Sequence, residues 1–486
     1  MTTYEQKPYR TVARPESHPE RLSAIARSMD LPASNPDSCR VLELGCGTGG
    51  NILPWAERYA ESTFTAIDNA SNHIDVAQHT AQQMNLRNIE FRVDDISSCS
   101  LKKASYDYIV CHGVYSWVSE PVQQKILEVC KEALAPNGVV LISYNVLPGW
   151  RQRGLIRDIM MFGASLEQSP DPEKKLQSAA RTLGLVAAAR REKDDLYGRY
   201  LNEAISRLQS SDSSYLFHEF LEEHNSPCLF TDFMQKAKGT GLQFLSEARP
   251  AFMAGDDLGH EQRHFLDSLA ADVIMREQAL DIFRNRMLRE TILCHEGHTL
   301  KRDLRASVFR SLVYSTEYRR VPSSSSGEVK FRDLVSAREI AMPKGDSTDV
   351  LDLVGRLGPS GCNLSELARS ASEISINCRS EAEIFSNIVA LWRAGFIELS
   401  SAHYPALSKA SGLAKTSKLA RIQAQSGESA TSLRHRHYEL SSPERLILAA
   451  SDGTRDFEDV MTRVESVAKG TTAGAVERLL ALGFFQ

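Results

Sequence analysis

The sequence predicts an α/β protein in which a doubly wound parallel sheet carries a helical insertion and is followed by smaller, mainly helical modules. The first observation is an alternation of short apolar runs with amphipathic helical segments over residues 40–145. The second is a glycine-rich loop directly after the first run, and the third is a set of polar residues at the carboxyl ends of the runs. Ligands of such sheets bind beyond those carboxyl ends.

The rest of the chain is organised around Val41–Gly50, which reads VLELGCGTGG. Glycines let backbone N–H groups approach a ligand that a Cβ would push away. Glu43 lies in the strand before the first glycine, where it would repel a diphosphate. A carboxylate there suits a cationic ligand end, such as the amino group and sulfonium of S-adenosylmethionine. A tight strand–helix turn without any ligand is the alternative.

Five predicted strands share an apolar character and alternate with helical segments. They are Val41–Leu44, Thr63–Ile67, Ile89–Val93, Tyr106–Cys111 and Val139–Ser143. Polar residues at or next to their carboxyl ends are Glu43, Asp68, Asp94, Asp95, His112 and Tyr144. Because these ends meet at one edge of a parallel sheet, we expect one site there.

Two of the strand ends are suited to a nucleoside. Asp68 follows the glycine loop by about 20 positions, where a carboxylate can accept hydrogen bonds from ribose hydroxyls. Asp94 or Asp95 can accept from an adenine amino group, with Ile96 packed on the ring. A solvated strand-end turn is the alternative for either of these two aspartates.

Six regions are predicted along the chain. They are a cofactor-binding domain at 1–149, a helical insertion at 150–225, completion of the sheet with further helices at 226–300, a winged-helix-like module at 301–400, a basic linker at 401–437 and a second small helical module at 438–486. We expect the last strands at Cys228–Phe230 and Leu242–Leu245, a helical stretch at Leu258–Arg289, and a flexible break at Ser323–Gly327. The basic linker is expected to be mobile, because it is poor in apolar residues.

Composition narrows the class of protein. The chain has 486 residues, a net charge of −5 and an odd number of cysteines, nine, without paired spacing. Reduced thiols, a cytoplasmic location and no membrane span are therefore expected, and the acidic charge opposes a nucleic-acid partner. His295-Glu296-Gly297-His298 is too weak a pattern to predict a metal, and we predict none.

The motif Glu-x-Gly-x-Gly-x-Gly at Glu43–Gly49 resembles the first motif of class I methyltransferases, which have a Rossmann-like sheet. Further segments carry a closer resemblance: His112–Val118, Ser143–Asn145 with Pro148–Trp150, Tyr215–Glu222, and Leu280–Arg284 with Thr291–His295. Together they are similar to bacterial methyltransferases with a methyltransferase regulatory domain, of the rickettsial protein-lysine methyltransferase type. The resemblance implies S-adenosylmethionine as cofactor, S-adenosylhomocysteine as product, a protein substrate with a lysine acceptor in some members, and a homodimer.

The predicted site residues fall into two groups. Predicted cofactor contacts are Glu43, Gly45, Cys46, Gly47, Gly49, Asn51, Asp68, Asn69, Asp94, Asp95, Ile96 and His112. Predicted acceptor-side residues are Tyr115, Trp117, Tyr144, His218 and Glu219, with Trp150 beside them in an aromatic-lined pocket. Aromatic rings can hold a developing ammonium, and Glu219 can orient an incoming one. The alternative is that Trp117 and Trp150 are core anchors and Glu219 a helix-surface residue.

Three functional hypotheses remain open on the sequence. The leading hypothesis is an S-adenosylmethionine-dependent methyltransferase acting on protein lysine. The loop at His112–Val118 lacks the Asn/Asp-Pro-Pro-Tyr pattern of enzymes that methylate adenine, cytosine or glutamine. The other two are methylation of a small metabolite or natural product, and a cofactor-sensing DNA-binding regulator. Against the regulator, the predicted recognition helix Ser380–Ala394 sets Glu381 and Glu383 against Arg393 alone.

Overall fold

A seven-stranded sheet forms the centre of the computed structural model, which describes residues 7, 9, 11–190, 195–208, 212–302, 305–323, 327–373, 380–467 and 472–486. Its strand order is β3-β2-β1-β4-β5-β7-β6, and β7 runs antiparallel to both of its neighbours. The strands are β1 (Arg40–Leu44), β2 (Thr63–Asp68), β3 (Ile89–Val93), β4 (Tyr106–Cys111), β5 (Leu134–Asn145), β6 (Leu242–Glu247) and β7 (Leu288–His295). The five predicted strands β1–β5 are confirmed, and they pair in parallel.

Helices cover both faces of this sheet. The helices that precede β7 are, in chain order, α1 (Pro19–Ser28), α2 (Leu53–Arg58), α3 (Ser71–Met84), α4 (Glu120–Ala133), α5 (Trp150–Ser165), α6 (Pro172–Ala188), α7 (Leu196–Leu208), α8 (Ser213–Leu221), α9 (Phe230–Gly239), α10 (His260–Ser268) and α11 (Val273–Arg284). Because successive strand residues point to opposite faces, Val41 belongs to the core under α1–α3, and Leu42 and Leu44 to the core under α4 and α9. This double cover explains why the β1 run is continuously apolar apart from Glu43.

The end of the sheet differs from the sequence prediction. Cys228 makes only an isolated bridge to Val146, and helix α9 begins at Phe230. The strand beside β5 is instead β7, part of which we expected to continue a helix. Short apolar runs fit either a strand or a buried helix, so the pairing partner decides between them.

Helices α5–α8 pack around their own apolar core, with Met160, Leu183 and Phe217 among its buried residues. The helical content of the predicted insertion is confirmed. Its bounds stay a prediction, because α8 lies within reach of the N-terminal segment as well as of α5 and α6.

Two further units follow the sheet. The first contains β8 (Val313–Ser315), β9 (Tyr318–Val321), β10 (Glu328–Asp333), β11 (Glu339–Pro343), β12 (Glu398–Ser400) and the helices α12 (Ala306–Phe309), α13 (Asp346–Leu357), α14 (Leu364–Glu373) and α15 (Glu381–Arg393). The second contains β13 (Leu413–Lys415), β14 (Ser429–Thr431), β15 (His437–Glu439), β16 (Asp452–Asp456) and the helices α16 (Lys418–Ser426), α17 (Ser442–Ala450), α18 (Phe457–Val467) and α19 (Ala473–Ala481). Each unit has its own apolar core.

The segment predicted to be a mobile basic linker is ordered for most of its length. It contains α16 and β14 and ends at β15, and Ala414, Leu419 and Ala430 are buried in it. The charge of Arg434 in this segment is neutralised by a residue that is distant in the sequence, because Arg434 lies 2.8 Å from Glu317 of the first unit. Part of the predicted break at Ser323–Gly327 lies outside the described residues. Among the residues that are described, no helix combines the length and the apolar character needed to cross a bilayer.

Candidate cofactor and acceptor site

The glycine-rich loop turns sharply at the carboxyl end of β1. The backbone amides of Gly45 and Cys46 both donate to the carbonyl of Ile67, at 2.8 and 3.1 Å. Gly45 has a φ of +74°, and a Cβ there would lie 2.3 Å from Cγ2 of Val114. The loop after β4 therefore packs directly on the glycine loop, and glycine is required at position 45 for both conformation and space.

Glu43 is a buried acid with one unsatisfied oxygen. Oε1 accepts a hydrogen bond of 2.7 Å from Nδ2 of Asn51, whereas Oε2 is buried and has no partner among the described residues. Burial raises the pKa of the Glu43 carboxyl to about 8, with Asp68 adding to the rise and the Asn51 hydrogen bond opposing it. An unpaired buried carboxylate oxygen is unfavourable, so this position favours a cationic ligand group.

Asp68 is held rigidly at the end of β2. Its Oδ2 accepts from the amide of Gly47 at 2.8 Å, and its Oδ1 accepts from the amide of Ala70 at 2.9 Å. One carboxylate thus ties the glycine loop to the start of α3. Carboxylate oxygens have further lone pairs, so Asp68 remains able to accept from ribose hydroxyls.

The adenine-side residues lie at the neighbouring strand end. The amide of Asp94 donates to the carbonyl of Asp68 at 3.0 Å, which places the end of β3 beside the end of β2. Asp94 pairs with Arg92 at 2.8 Å, and Asp95 caps the following turn through the amide of Ser97. Asp95 and Asn69 are exposed, whereas Asp94 and Ile96 are half-buried.

A charged cluster lies at the carboxyl end of β4 and β5. Nε2 of His112 is 3.2 Å from Oε1 of Glu290 on β7, and Glu290 pairs in register with Ser143 of β5. Arg249 bridges Glu290 and Glu16, at 3.2 and 2.9 Å. Two largely buried carboxylates therefore share one cation at this edge.

Tyr115 and Tyr144 are buried in the structure rather than lining an open pocket. Their rings meet edge to face, and Tyr144 stacks on Phe233 of α9 at a centroid distance of 3.9 Å. The Tyr144 hydroxyl bonds Thr291 at 2.9 Å, whereas the Tyr115 hydroxyl has no partner among the described residues. The sequence places the two rings at the carboxyl ends of β4 and β5, but it does not show that α9 covers them.

The remaining acceptor-side predictions lie on the insertion side. Trp117 meets Trp150 edge to face at 6.1 Å, and Trp117 is half-buried. Glu219 forms an ion pair with Arg153, so it is not free to orient an ammonium by itself. His218 contacts Glu222 and the carbonyl of Lys7, which connects α8 to the N-terminal segment.

His295 and His298 are directed to separate partners. Nε2 of His295 lies 3.0 Å from the carbonyl of Leu134, and Nε2 of His298 lies 2.8 Å from the carbonyl of Pro136. Across the part of the chain that the structure describes, no three His, Cys, Asp or Glu side chains come together as a metal site.

The described residues fit S-adenosylmethionine. The unsatisfied Oε2 of Glu43 matches its amino group, the amide-held Asp68 matches its ribose, and the glycine loop leaves backbone space between them. The sheet order with an antiparallel β7, together with this site, defines a class I S-adenosylmethionine-dependent methyltransferase.

Comparisons with known proteins agree with this class. Residues 41–138 match the family model "Methyltransferase domain", 212–295 match "Predicted methyltransferase regulatory domain", and 415–475 match "PKMT, C-terminal winged helix domain". The chain is 34% identical over 244 residues to the uncharacterized protein RP028 of Rickettsia prowazekii, which covers 50% of this chain and 96% of RP028. The chain therefore belongs to the family of RP028, with a methyltransferase domain and a methyltransferase regulatory domain.

Other relatives differ in how much of their length is matched. The uncharacterized protein RP789 of Rickettsia prowazekii is 32% identical over 303 residues, which is 62% of this chain but only 54% of RP789. The solved structure of PKMT2 from Rickettsia typhi superposes with a TM-score of 0.85 and 24% identity, covering 98% of this chain and 100% of that one. PKMT2 has also been solved in complex with AdoHcy, with the same coverage. This likeness shows that the fold is shared along nearly the whole chain, including the predicted winged-helix-like part.

Four residues at this edge were missed from the sequence: Glu16, Arg249, Glu290 and His435. Glu16 lies in the N-terminal segment before α1, and Glu290 directly follows the helical stretch Leu258–Arg289 that the sequence predicts. Nothing local marks Arg249 or His435, because their partners are distant in sequence.

Proposed function

We propose that this methyltransferase N-methylates lysine side chains of a protein. The observation that carries the proposal is the cluster of Glu16, Glu290 and His112 at the carboxyl edge of the sheet. Glu16 and Glu290 already hold a cation, the guanidinium of Arg249, whose side chain is 45% exposed. A lysine ammonium has the same charge and is therefore matched to this edge.

When bound, S-adenosylmethionine supplies a methyl group on a sulfonium. The lysine amine must be neutral to attack that group, so the protein has to accept a proton. His112 and Glu290 lie within hydrogen-bond distance of each other and can share that proton. Positioning of the amine supplies most of the remaining rate acceleration.

The C-terminal units support a protein-contacting role rather than DNA binding. Helix α15, the expected recognition helix, buries Ile384, Ile388 and Leu391 in its own unit. Its remaining basic residue, Arg393, pairs with Asp256 of the catalytic part at 3.2 Å. A helix occupied in this way has few charges left for phosphates.

Self-association is part of the proposal. Helices α5–α7 expose large apolar side chains, among them Phe162 at 61%, Leu185 at 61% and Leu196 at 79%. Such a surface is typical of an interface. Light scattering of the purified protein is expected to give twice the chain mass, and a mass of one chain at micromolar concentration would contradict dimerisation.

A labelling experiment tests the acceptor. Purified protein and isotopically labelled S-adenosylmethionine are incubated with host lysate, separated into protein and small-molecule fractions, and labelled residues are identified by mass spectrometry. We expect label on lysine in a protein band, and no such label after chemical blocking of lysines. Label confined to the small-molecule fraction would replace the lysine proposal by the metabolite one.

A further inference from the structure

A loop from the second C-terminal unit reaches the cofactor-binding part of the chain. Residues 432–436 connect β14 to β15, and His435 at its tip has a φ of +58°. The His435 ring stacks on Trp55 of α2 at 5.0 Å with an interplanar angle of 27°, and it is 1% exposed. The ring of His18 is a second neighbour, at 5.2 Å.

The protonation of this ring follows from its partner. Nε2 of His435 lies 2.8 Å from Oδ1 of Asn51, and an amide oxygen can only accept, so Nε2 donates the hydrogen. Nδ1 is buried and has no partner among the described residues, which disfavours a second proton. Burial accordingly lowers the pKa of His435 to about 3, and the ring is a neutral donor at physiological pH.

Asn51 transmits this contact to the site. Its Oδ1 accepts from three donors: Nε2 of His435, the amide of Arg14 at 2.8 Å and the hydroxyl of Ser17 at 3.1 Å. These donors fix which end of the amide is the oxygen. Nδ2 must then face Glu43, and it donates to Oε1 at 2.7 Å.

We propose that His435 is a positioning residue of the cofactor site, which acts through Asn51 to hold the Glu43 carboxylate in place for the amino group of S-adenosylmethionine. The unit that matches the PKMT C-terminal winged helix domain is then an integral part of the cofactor site. This inference rests on the cofactor and is independent of the lysine acceptor.

Ion pairs on both sides of His435 keep the loop in position. Arg434 lies 2.8 Å from Glu317, and Arg436 lies 3.1 Å from the same carboxylate. Glu317 belongs to the first C-terminal unit, just before β9. The loop that carries His435 is therefore held in place by a residue outside the cofactor-binding part.

Two substitutions at position 435 separate the hydrogen bond from the ring stacking. His435→Phe keeps a ring on Trp55 and removes the donor, whereas His435→Gln keeps an N–H donor and removes the ring. Affinity for S-adenosylhomocysteine is measured by isothermal titration calorimetry on the full chain, with thermal unfolding recorded for each variant. We expect His435→Phe to weaken binding about 3- to 10-fold, which corresponds to one hydrogen bond, and His435→Gln to retain it. The reverse order would overturn the proposal.

A double-mutant cycle measures whether the effects of His435 and Asn51 on affinity are coupled. A purely structural role of His435 would give no such coupling. In the Asn51→Ala background, His435→Phe is expected to cause no further loss of affinity, whereas independent losses would overturn the proposal. Glu57→Ala is the matched control, because Glu57 accepts from the Leu419 amide at 3.2 Å in the same interface without touching Asn51. Its affinity is expected to equal that of the unaltered protein.

A measurement on the unsubstituted protein tests the proposal even if the variants fail to fold. In the ¹⁵N-histidine-labelled protein, His435 is expected to show the neutral Nε2–H tautomer at pH 6–8, and its signals are expected to shift when S-adenosylhomocysteine is added. A charged ring, the other tautomer, or signals insensitive to the ligand would each contradict the proposed path.

Discussion

Asn51 donates a hydrogen bond of 2.7 Å to Oε1 of Glu43, while Oε2 of the same buried carboxylate has no partner among the described residues. The protein thus presents a carboxylate that is half satisfied by its own chain. Burial of such a group is unfavourable, and a cationic ligand relieves it. The cofactor site is therefore completed by its ligand.

The pKa of Glu43 makes cofactor binding depend on pH. Burial raises this pKa to about 8, so in the free protein the carboxyl is largely protonated below pH 8 and ionised above it. Only the carboxylate attracts the charged amino group of the ligand, so affinity is expected to rise with pH up to about 8, by at most about tenfold per pH unit, and to fall again where that amino group loses its proton. Neighbouring Cys46 and Cys111 stay neutral in this range, because burial raises the pKa of both thiols, and Asp68 is the facing carboxylate. Calorimetry from pH 6 to 8.5 measures this, and Glu43→Gln is expected to flatten the curve.

Asp68→Ala is expected to weaken S-adenosylhomocysteine binding about 10- to 100-fold without unfolding the protein. The substitution removes acceptors for ribose and also frees the amides of Gly47 and Ala70, which now donate to Asp68. Calorimetry gives the affinity, and circular dichroism checks the fold. Binding at full strength in a folded variant would exclude Asp68 as the ribose-binding residue.

Gly45→Ala and Gly113→Ala form a matched pair. Both glycines have positive φ, +74° and +75°. A Cβ at Gly45 would collide with Val114, whereas none of the residues that the structure describes has an atom within 4 Å of a Cβ at Gly113. Gly113→Ala is expected to lower the free energy of unfolding by about 1–2 kcal/mol, the cost of a left-handed residue. Gly45→Ala is expected to lower it by about 1–3 kcal/mol more through overpacking. Urea unfolding measures both, and equal losses would mean that the loops do not pack as described.

Glu290→Gln is expected to lower kcat about 100-fold while the affinity for S-adenosylhomocysteine stays within about twofold. The variant keeps the shape of the side chain but removes the charge that holds a cation and that shares a proton with His112. Steady-state methylation of the protein fraction gives kcat, and Glu339→Gln on the exposed strand β11 is the control. An unchanged kcat would show that Glu290 and its partners take no part in the acceptor site.

Arg289→Met is expected to destabilise the protein by about 3–5 kcal/mol. Arg289 is fully buried and bonds Glu247, Asp281 and Glu277, so its loss leaves carboxylates buried without their cation. Arg332→Met serves as control, since its pair with Glu339 is exposed and its loss should be undetectable. Both are compared by urea unfolding, and similar curves would show that the buried cluster contributes no net stability.

Strands β1–β5 and the positions of Glu43 and Asp68 were predictable because each depends on neighbours in the chain. An apolar run of strand length followed by glycines predicts a strand and then a turn. It thereby also predicts the edge of the sheet at which the acidic residue lies. No glycine follows the apolar run Cys228–Phe230. Helix α9 begins at the last residue of this run, and β7 takes the place beside β5. Likewise, Tyr115 and Tyr144 were expected in an open pocket, but α9 covers them.

The sequence by itself determined the class of sheet, the glycine loop and the acidic edge, since these follow from short-range periodicity and backbone conformation. Only the tertiary structure decided that Arg434 and Arg436 belong to an ordered loop and that His435 reaches Asn51, 384 residues earlier. The physical reason is that a buried charge or donor is stable only with its partner. When that partner is brought by a distant part of the chain, local composition suggests a solvated linker instead.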